Sequence, residues 1–244
     1  MTRASLRRTQ LTDEVAGDLR TRILTGQIRP GEFIRLDDVA SELGCSVTPV
    51  REALVTLRGE GLVRSSPHRG FIVDELKRED IVDIFWMQSQ LSARLAVHAS
   101  RNPDLEDHLV ELNSIVDALE QAVESGDSDK VLKCEYEFHR RIHLASESKK
   151  LAWFLVAASK YTPYSLYLQD KDWGTQAVES HRRLIGHLAR GDAEAITAEI
   201  HSRFIDARER LVRELELRGF WEESGAEDDV SDDAEAAGIA ASSA

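Results

Sequence analysis

Apolar residues recur at helical spacing along most of this chain. Val15, Leu19 and Ile23 fall on one side of a helix predicted from about Thr12 to Thr25, and Pro30-Gly31 marks the turn after it. Val39, Ala40 and Leu43 define a second, short helix closing at Gly44, a residue suited to the left-handed conformation that ends helices. Val50, Ala53, Leu54 and Leu57 define a third. Thr48 is placed to cap it, Pro49 to occupy its first position and Gly59-Glu60-Gly61 to end it. Arg51, Val55 and Arg58 lie off its apolar face. Cys45, Ser46 and Val47 are all that separates the second and third helices, the short turn of a helix-turn-helix. Leu62 and Val63 then pair with Phe71, Ile72 and Val73 in an expected β-hairpin, whose turn is Pro67-His68-Arg69-Gly70. Two helices, a tight turn and a basic-tipped hairpin predict a winged helix-turn-helix, which lays its second helix in the DNA major groove.

Residues 78–220 carry no strictly alternating segment. The expected breaks are Asn102-Pro103 (cap and first-position proline), Ser125-Gly126-Asp127, Glu147-Ser148, the stretch from Gln169 to Thr175, and Arg190-Gly191-Asp192. They imply about six helices in an antiparallel bundle. The fold class is therefore mostly α: a winged helix-turn-helix over 10–74, followed by an all-helical bundle over 78–220. Residues 1–9 form a basic arm with Arg3, Arg7 and Arg8. Residues 222–244, with eight acidic and no basic side chains, form an expected disordered tail.

A net charge of −13, taken as a total, argues against a nucleic-acid partner. Its distribution does not. Residues 1–73 hold eleven basic against nine acidic side chains, a balance of +2, which leaves −15 for the rest. Phosphate contact depends on local surface rather than the total. No apolar run has the length of a membrane span, and the start of the chain lacks the apolar stretch of a signal peptide. Two cysteines, Cys45 and Cys134, are too few for a disulfide framework, so a reducing cytoplasm is the expected setting.

Candidate chemistry in the bundle centres on CEYEFHRRIH, residues 134–143. Glu135 and His139 are one helical turn apart, and His143 continues their face. His181 opens HRRLIGHL further on, and the last helix carries His201 and Arg203. A carboxylate and imidazoles on facing helices are a donor set for a divalent metal such as zinc, and equally the side chains of a packed helix face. Arg203 shares a stripe with Ile196, Ile200 and Ala207, where a charge needs a partner, and Glu135 or a bound anion would serve. Trp153, Tyr161, Tyr164 and Tyr167 are aromatics for either a pocket or the core, as is Trp86.

TPVREAL, followed by L…GEGLV…P…RGFIV, resembles the N-terminal domain of the GntR family of bacterial transcriptional regulators over roughly residues 10–73. The resemblance implies that Thr48 and Arg51 approach DNA from the recognition helix, and that His68, Arg69 and Gly70 enter the minor groove. Arg7, Arg8 and Arg58 complete the expected DNA-contacting set. Val47 stands where the family usually has Arg. The segments E…FHRRI, ESHRRLI and RGDAEA resemble the FadR subfamily, with its helical FCD ligand-binding domain. That resemblance implies a metal held by Glu135, His139 and His181. Arg203, however, stands where the family usually supplies a further His, which favours a metal-free site in which the guanidinium holds a carboxylate. Gln88 and Ser92 replace an Arg and Glu common in the first helix of such domains.

The expected protein is a homodimeric, ligand-responsive regulator, with repression as the commoner mode. It would bind a palindromic double-stranded operator, and a small organic-acid-like effector would sit near Arg203, Tyr161, Tyr164 and Gln88. The rivals are a metal-dependent enzyme built on the Glu/His cluster, and an architectural DNA binder with no ligand cavity. No HExxH, GxSxG, phosphate loop or CxxC supports the enzyme.

Overall fold

The computed structural model describes residues 3–66, 70–168 and 171–221, and the side chains of 10–66, 70–168 and 172–221. The first domain begins with α1 (Arg3–Leu24), so residues 3–9 extend the first helix by two turns instead of forming a separate arm. Strand β1 (Phe33–Ile34), helices α2 (Leu36–Glu42) and α3 (Val47–Gly59), and strands β2 (Val63–Ser66) and β3 (Gly70–Val73) follow. The hairpin register pairs Val63 with Val73 and Ser66 with Gly70. β1 adds a third antiparallel strand on the other side of β3, pairing Phe33 with Ile72. A two-residue strand is too short to carry an alternating pattern, which is why periodicity did not reveal it.

The core of this domain is the set of positions read from helical spacing. Leu19, Val50, Ala53, Leu54 and Leu57 are wholly buried. Gly44 has a φ of +62° and lets the chain turn between α2 and α3. The cap of α3 differs from expectation: Ser46 occupies the N-cap position, and Thr48 lies inside the first turn. Pro49 still costs nothing there, because the first N–H groups of a helix have no partner within it.

The second domain has seven helices among the described residues, one more than expected. They are α4 (Arg78–Ala99), α5 (Leu105–Ser125), α6 (Ser128–Ala145), α7 (Lys149–Ser159), the one-turn α8 (Tyr164–Tyr167), α9 (Lys171–Arg190) and α10 (Ala193–Leu217). Gly126 ends α5 in the left-handed region, and Asp127 caps α6 through Lys130 N–H. Asp192 caps α10 in the same way through Ala195. The cap of α5 is Asp104; Asn102 instead accepts from Asp104 N–H and donates to the Ala145 carbonyl at 2.7 Å. The break between α7 and α8 was not foreseen. Phe138, Leu112, Leu119, Leu188, Ile196 and Leu215 fill the bundle interior.

Among the described residues, two groups of hydrogen bonds join the two domains. The end of α10 grips the turn after α1: Arg29 Nη2 donates to the Arg218 carbonyl, and Arg218 Nη1 reaches the Thr25 carbonyl. Beside it, Trp221 Nε1 donates to the carbonyl of Leu76, which packs against both cores. The second group lies at Glu60.

Gly26 has a φ of +74°, and a Cβ there would sit 3.1 Å from the Phe220 ring. Gly17 lies within α1 with nothing within 4 Å of such a Cβ. Gly26→Ala should therefore lower stability by about 1–2 kcal/mol, and Gly17→Ala should raise it by up to about 1 kcal/mol. Urea unfolding of the two variants checks both signs.

Candidate functional site

Thr48, Arg51, Val55 and Arg58 form an exposed stripe along α3, on the face away from its buried residues. Successive steps of three, four and three residues keep them on one side of the helix. Arg51 has no ion pair among the described residues. Arg58 Nη1 donates to Ser65 Oγ on β2 at 3.0 Å, which ties the end of this stripe to the wing. Gly70 opens β3 with a φ of +97°. His68 and Arg69, with the acidic tail, lie outside the described residues, as do the side chains of Arg7 and Arg8.

The second candidate site lies among α6, α9 and α10. Glu135 is 2% exposed and His181 wholly buried. His181 Nε2 lies 2.8 Å from Glu135 Oε1, and Arg203 Nη2 donates to Glu135 Oε2 at 2.5 Å. Arg203 Nη1 lies 2.7 Å from His181 Nδ1. One protonation pattern satisfies all three groups: a neutral His181 donates from Nε2 to the carboxylate and accepts from Arg203 at Nδ1. Phe138 stacks on the His181 ring at 3.7 Å and holds its plane. His139 Nε2 is 3.7 Å from Glu135 Oε2. Burial alone would raise the Glu135 pKa, but Arg203, His181 and His139 overcome that and hold it well below the usual carboxylate range. Burial, followed by the Arg203 charge, pushes His181 down to about 3. Burial, followed by His139, brings His143 to about 4.

Glu135, His139 and His181 bring their ligand atoms within 4.8 Å of one another, and by chemistry alone they could hold a metal ion. Arg203 changes that. Its guanidinium already lies against Glu135 and His181, the two most buried of the three donors. A divalent ion would have to displace it and would meet its positive charge. In this arrangement the guanidinium of Arg203 already engages two of the three donors.

Next to this cluster is a cavity of about 400 Å³. Glu135, His139, His143, Gln88, Ser92 and Tyr164 supply polar groups to its wall, and Leu132, Leu155, Val156 and Phe204 supply apolar surface. Arg140 stands at its exposed side. Gln88 is almost wholly buried and is held at both ends: Nε2 donates to the Ala158 carbonyl, and Oε1 accepts from the Thr162 hydroxyl.

Of the expected effector residues, Gln88 and Tyr164 line this cavity, and Arg203 and Tyr161 do not. Arg203 lies behind Glu135, because a buried carboxylate is the nearest partner for its charge. It borders instead a smaller void and a polar groove beside Trp173 and Glu179. Tyr161 turns to the first domain, where its hydroxyl donates to the Glu60 carbonyl. Tyr167 belongs to the core, stacked on Trp173. Trp86 and Trp153 are more than 60% exposed. His201 faces Gln90, away from the cluster. Sequence reading missed Arg140, which follows the singled-out His139 and differs from other exposed arginines only in what it stands beside.

A winged helix-turn-helix joined to a helical bundle with an internal cavity is the architecture of a DNA-binding transcriptional regulator. The sequence matches two families: "Bacterial regulatory proteins, gntR family" over residues 11–73 and "FCD domain" over residues 83–204. The chain belongs to the GntR family of transcriptional regulators, in the branch that carries an FCD domain. It is 30% identical to the "Probable D-xylose utilization operon transcriptional repressor" of Paenarthrobacter nicotinovorans over 191 residues, 78% of this chain and 83% of that protein. It is 24% identical to the gluconate operon transcriptional repressor of Bacillus subtilis over 81% of this chain and 83% of the relative. The solved structure of Escherichia coli McbR/YncC superposes with a TM-score of 0.62 at 26% identity, over 83% of this chain and 98% of that one. No helix among the described residues is long and apolar enough to cross a membrane.

Removing one member of a buried ion pair strands the other. Arg203→Met should therefore destabilise the bundle by about 3–5 kcal/mol, while Glu135→Met with Arg203→Met should cost far less than the sum of the two single changes. Strictly additive losses in denaturant unfolding would show that the pair is not coupled.

Proposed function

We propose that this regulator is a homodimer that binds a palindromic operator and releases it when a small organic acid enters the bundle cavity. The observation that carries this reading is the cavity itself, about 400 Å³ and walled mostly by apolar surface, in a domain joined to a DNA-reading head. Glu135 lines it, but Arg203 cancels that charge, so an anion entering meets no net repulsion there. His139 and His143, with pKa values lowered first by burial, enter as neutral donors or acceptors, and Arg140 offers a cation at the rim. The effector class that suits these walls is a small, largely apolar molecule with one anionic group. Such a ligand alters operator affinity only if it binds the two conformations of the protein unequally. Repression as the sign of the response is supported by the names of the relatives.

Dimer formation is supported by apolar surface that the single chain leaves exposed. Trp86 on α4 and Trp153 and Phe154 on the adjoining α7 are each more than half exposed. A second copy would also supply the second recognition helix that a palindrome requires, since one helix reads too few base pairs for useful discrimination. The donor set of Glu135, His139 and His181 works in this reading as a metal-free charge centre completed by Arg203.

Operators selected from random duplexes provide the test. Arg51→Ala should weaken specific binding by about 1–3 kcal/mol per subunit at matched salt, with the fold unchanged by circular dichroism. An unaltered affinity would remove Arg51 from the reading face. Native mass spectrometry of the wild-type complex should show two chains per operator and no stoichiometric metal. A single chain, or one metal per chain, would overturn the corresponding half of the proposal.

A further inference from the structure

Glu60 follows the last residue of α3 and is its C-cap. The end of a helix carries partial negative charge and unpaired carbonyls, so an acidic residue there is unfavourable unless something offsets it. Two cations from different domains do so. Arg20 of α1 donates to both carboxylate oxygens, at 2.8 and 2.9 Å. Lys160 of the bundle donates to Oε1 at 2.8 Å. The backbone carbonyl of Glu60 accepts from the Tyr161 hydroxyl, also of the bundle. The Glu60 side chain is 14% exposed. Burial works against its charge, but the hydrogen bonds from Arg20 and Lys160 prevail and lower its pKa.

Lys160 and Tyr161 directly follow α7, whose Leu155, Val156 and Ser159 line the cavity. Gln88 braces the same segment on either side of the pair, at Ala158 and at Thr162. Cavity wall, brace and clamp thus occupy eight consecutive residues, 155–162.

We propose that Lys160 and Tyr161 are positioning residues that set the angle of the recognition helix against the bundle, and that a ligand in the cavity acts on DNA binding through residues 155–162. The second half rests on the reading of the cavity as the effector site.

The experiment is a distance measurement by pulsed electron resonance on the full chain. Nitroxides are placed at Val55→Cys on α3 and Val110→Cys on α5, both exposed. Cys45 and Cys134 are replaced by Ser, and the labelled chain is diluted with unlabelled protein. The otherwise native chain should give one narrow distance distribution. Lys160→Met with Tyr161→Phe should broaden it, and Lys160→Arg with Tyr161 intact should keep it narrow. An unchanged width in the double variant overturns the positioning role. Broadening by Lys160→Arg shows that the ion pair is not what holds the helix, and overturns it equally.

A tethered occupant tests the second half. Leu132→Trp, on α6 in the cavity wall, fills part of the cavity, and Ser92→Phe serves as an independent filler should the first fail to fold. Either should shift the mean distance when the clamp is intact and leave it unmoved when the clamp is absent. A shift that persists without the clamp overturns transmission through 155–162. No shift with the clamp intact counts against the effector-site reading instead, while the width measurement still decides the positioning role.

Discussion

A carboxylate taken out of water keeps its charge only beside another charge, and the bundle is organised around that requirement at Glu135. Its partners come from two other helices, His181 from α9 and Arg203 from α10. The condition is therefore met only when three helices are in register. Sliding α10 by one residue would swing Arg203 by about 100° and strand the carboxylate. The same pair shapes the chemistry next to it: the cavity lined by Gln88 and Tyr164 has a carboxylate in its wall yet presents little net charge there. The guanidinium does the electrostatic work that the donor set could otherwise assign to a bound cation.

Much of this was legible in the sequence, for identifiable reasons. Burial follows periodicity directly, so Leu19, Val50, Leu54 and Leu57 were placed inside without any knowledge of the fold. The cost of burying a charge is equally local, and it identified Glu135 as a partner for Arg203. Choices among competing long-range partners were not legible. Tyr161 and Tyr164 lie three residues apart in one aromatic segment, yet one binds the first domain and the other lines the cavity. A short break after α7 separates their directions; Pro163 marks the break, but a proline does not say which way the side chains on either side of it will turn. The shift of the α3 cap from Thr48 to Ser46 is of the same kind, because both are hydroxyl residues able to start a helix.

The DNA-reading domain shows how little of a binding surface is settled by folding alone. The buried face of α3 is fixed by packing. Its exposed stripe is free to vary without disturbing the core, apart from Arg58 and its bond to Ser65 on the wing. Family membership fixes the scaffold, and the stripe of Thr48, Arg51, Val55 and Arg58 is exposed surface on which members can differ without disturbing the fold. Val47, half-buried at the start of α3, lies just ahead of that stripe.

The contacts between domains are unequal, and the inequality limits how the small domain can move. Close to the linker, the end of α10 holds both Leu76 and the Thr25–Arg29 turn through Trp221 and Arg218. Those attachments are gathered at one end of one helix, where a hinge would have to be. Glu60 is fastened separately, by Lys160 and Tyr161 just after α7, and on the proposed reading it is the catch. A door built this way has one easy motion. If Lys160 and Tyr161 act as proposed, release at Glu60 would leave the α10 end as the hydrogen-bonded attachment, and the recognition helix would tilt about it rather than slide along the bundle.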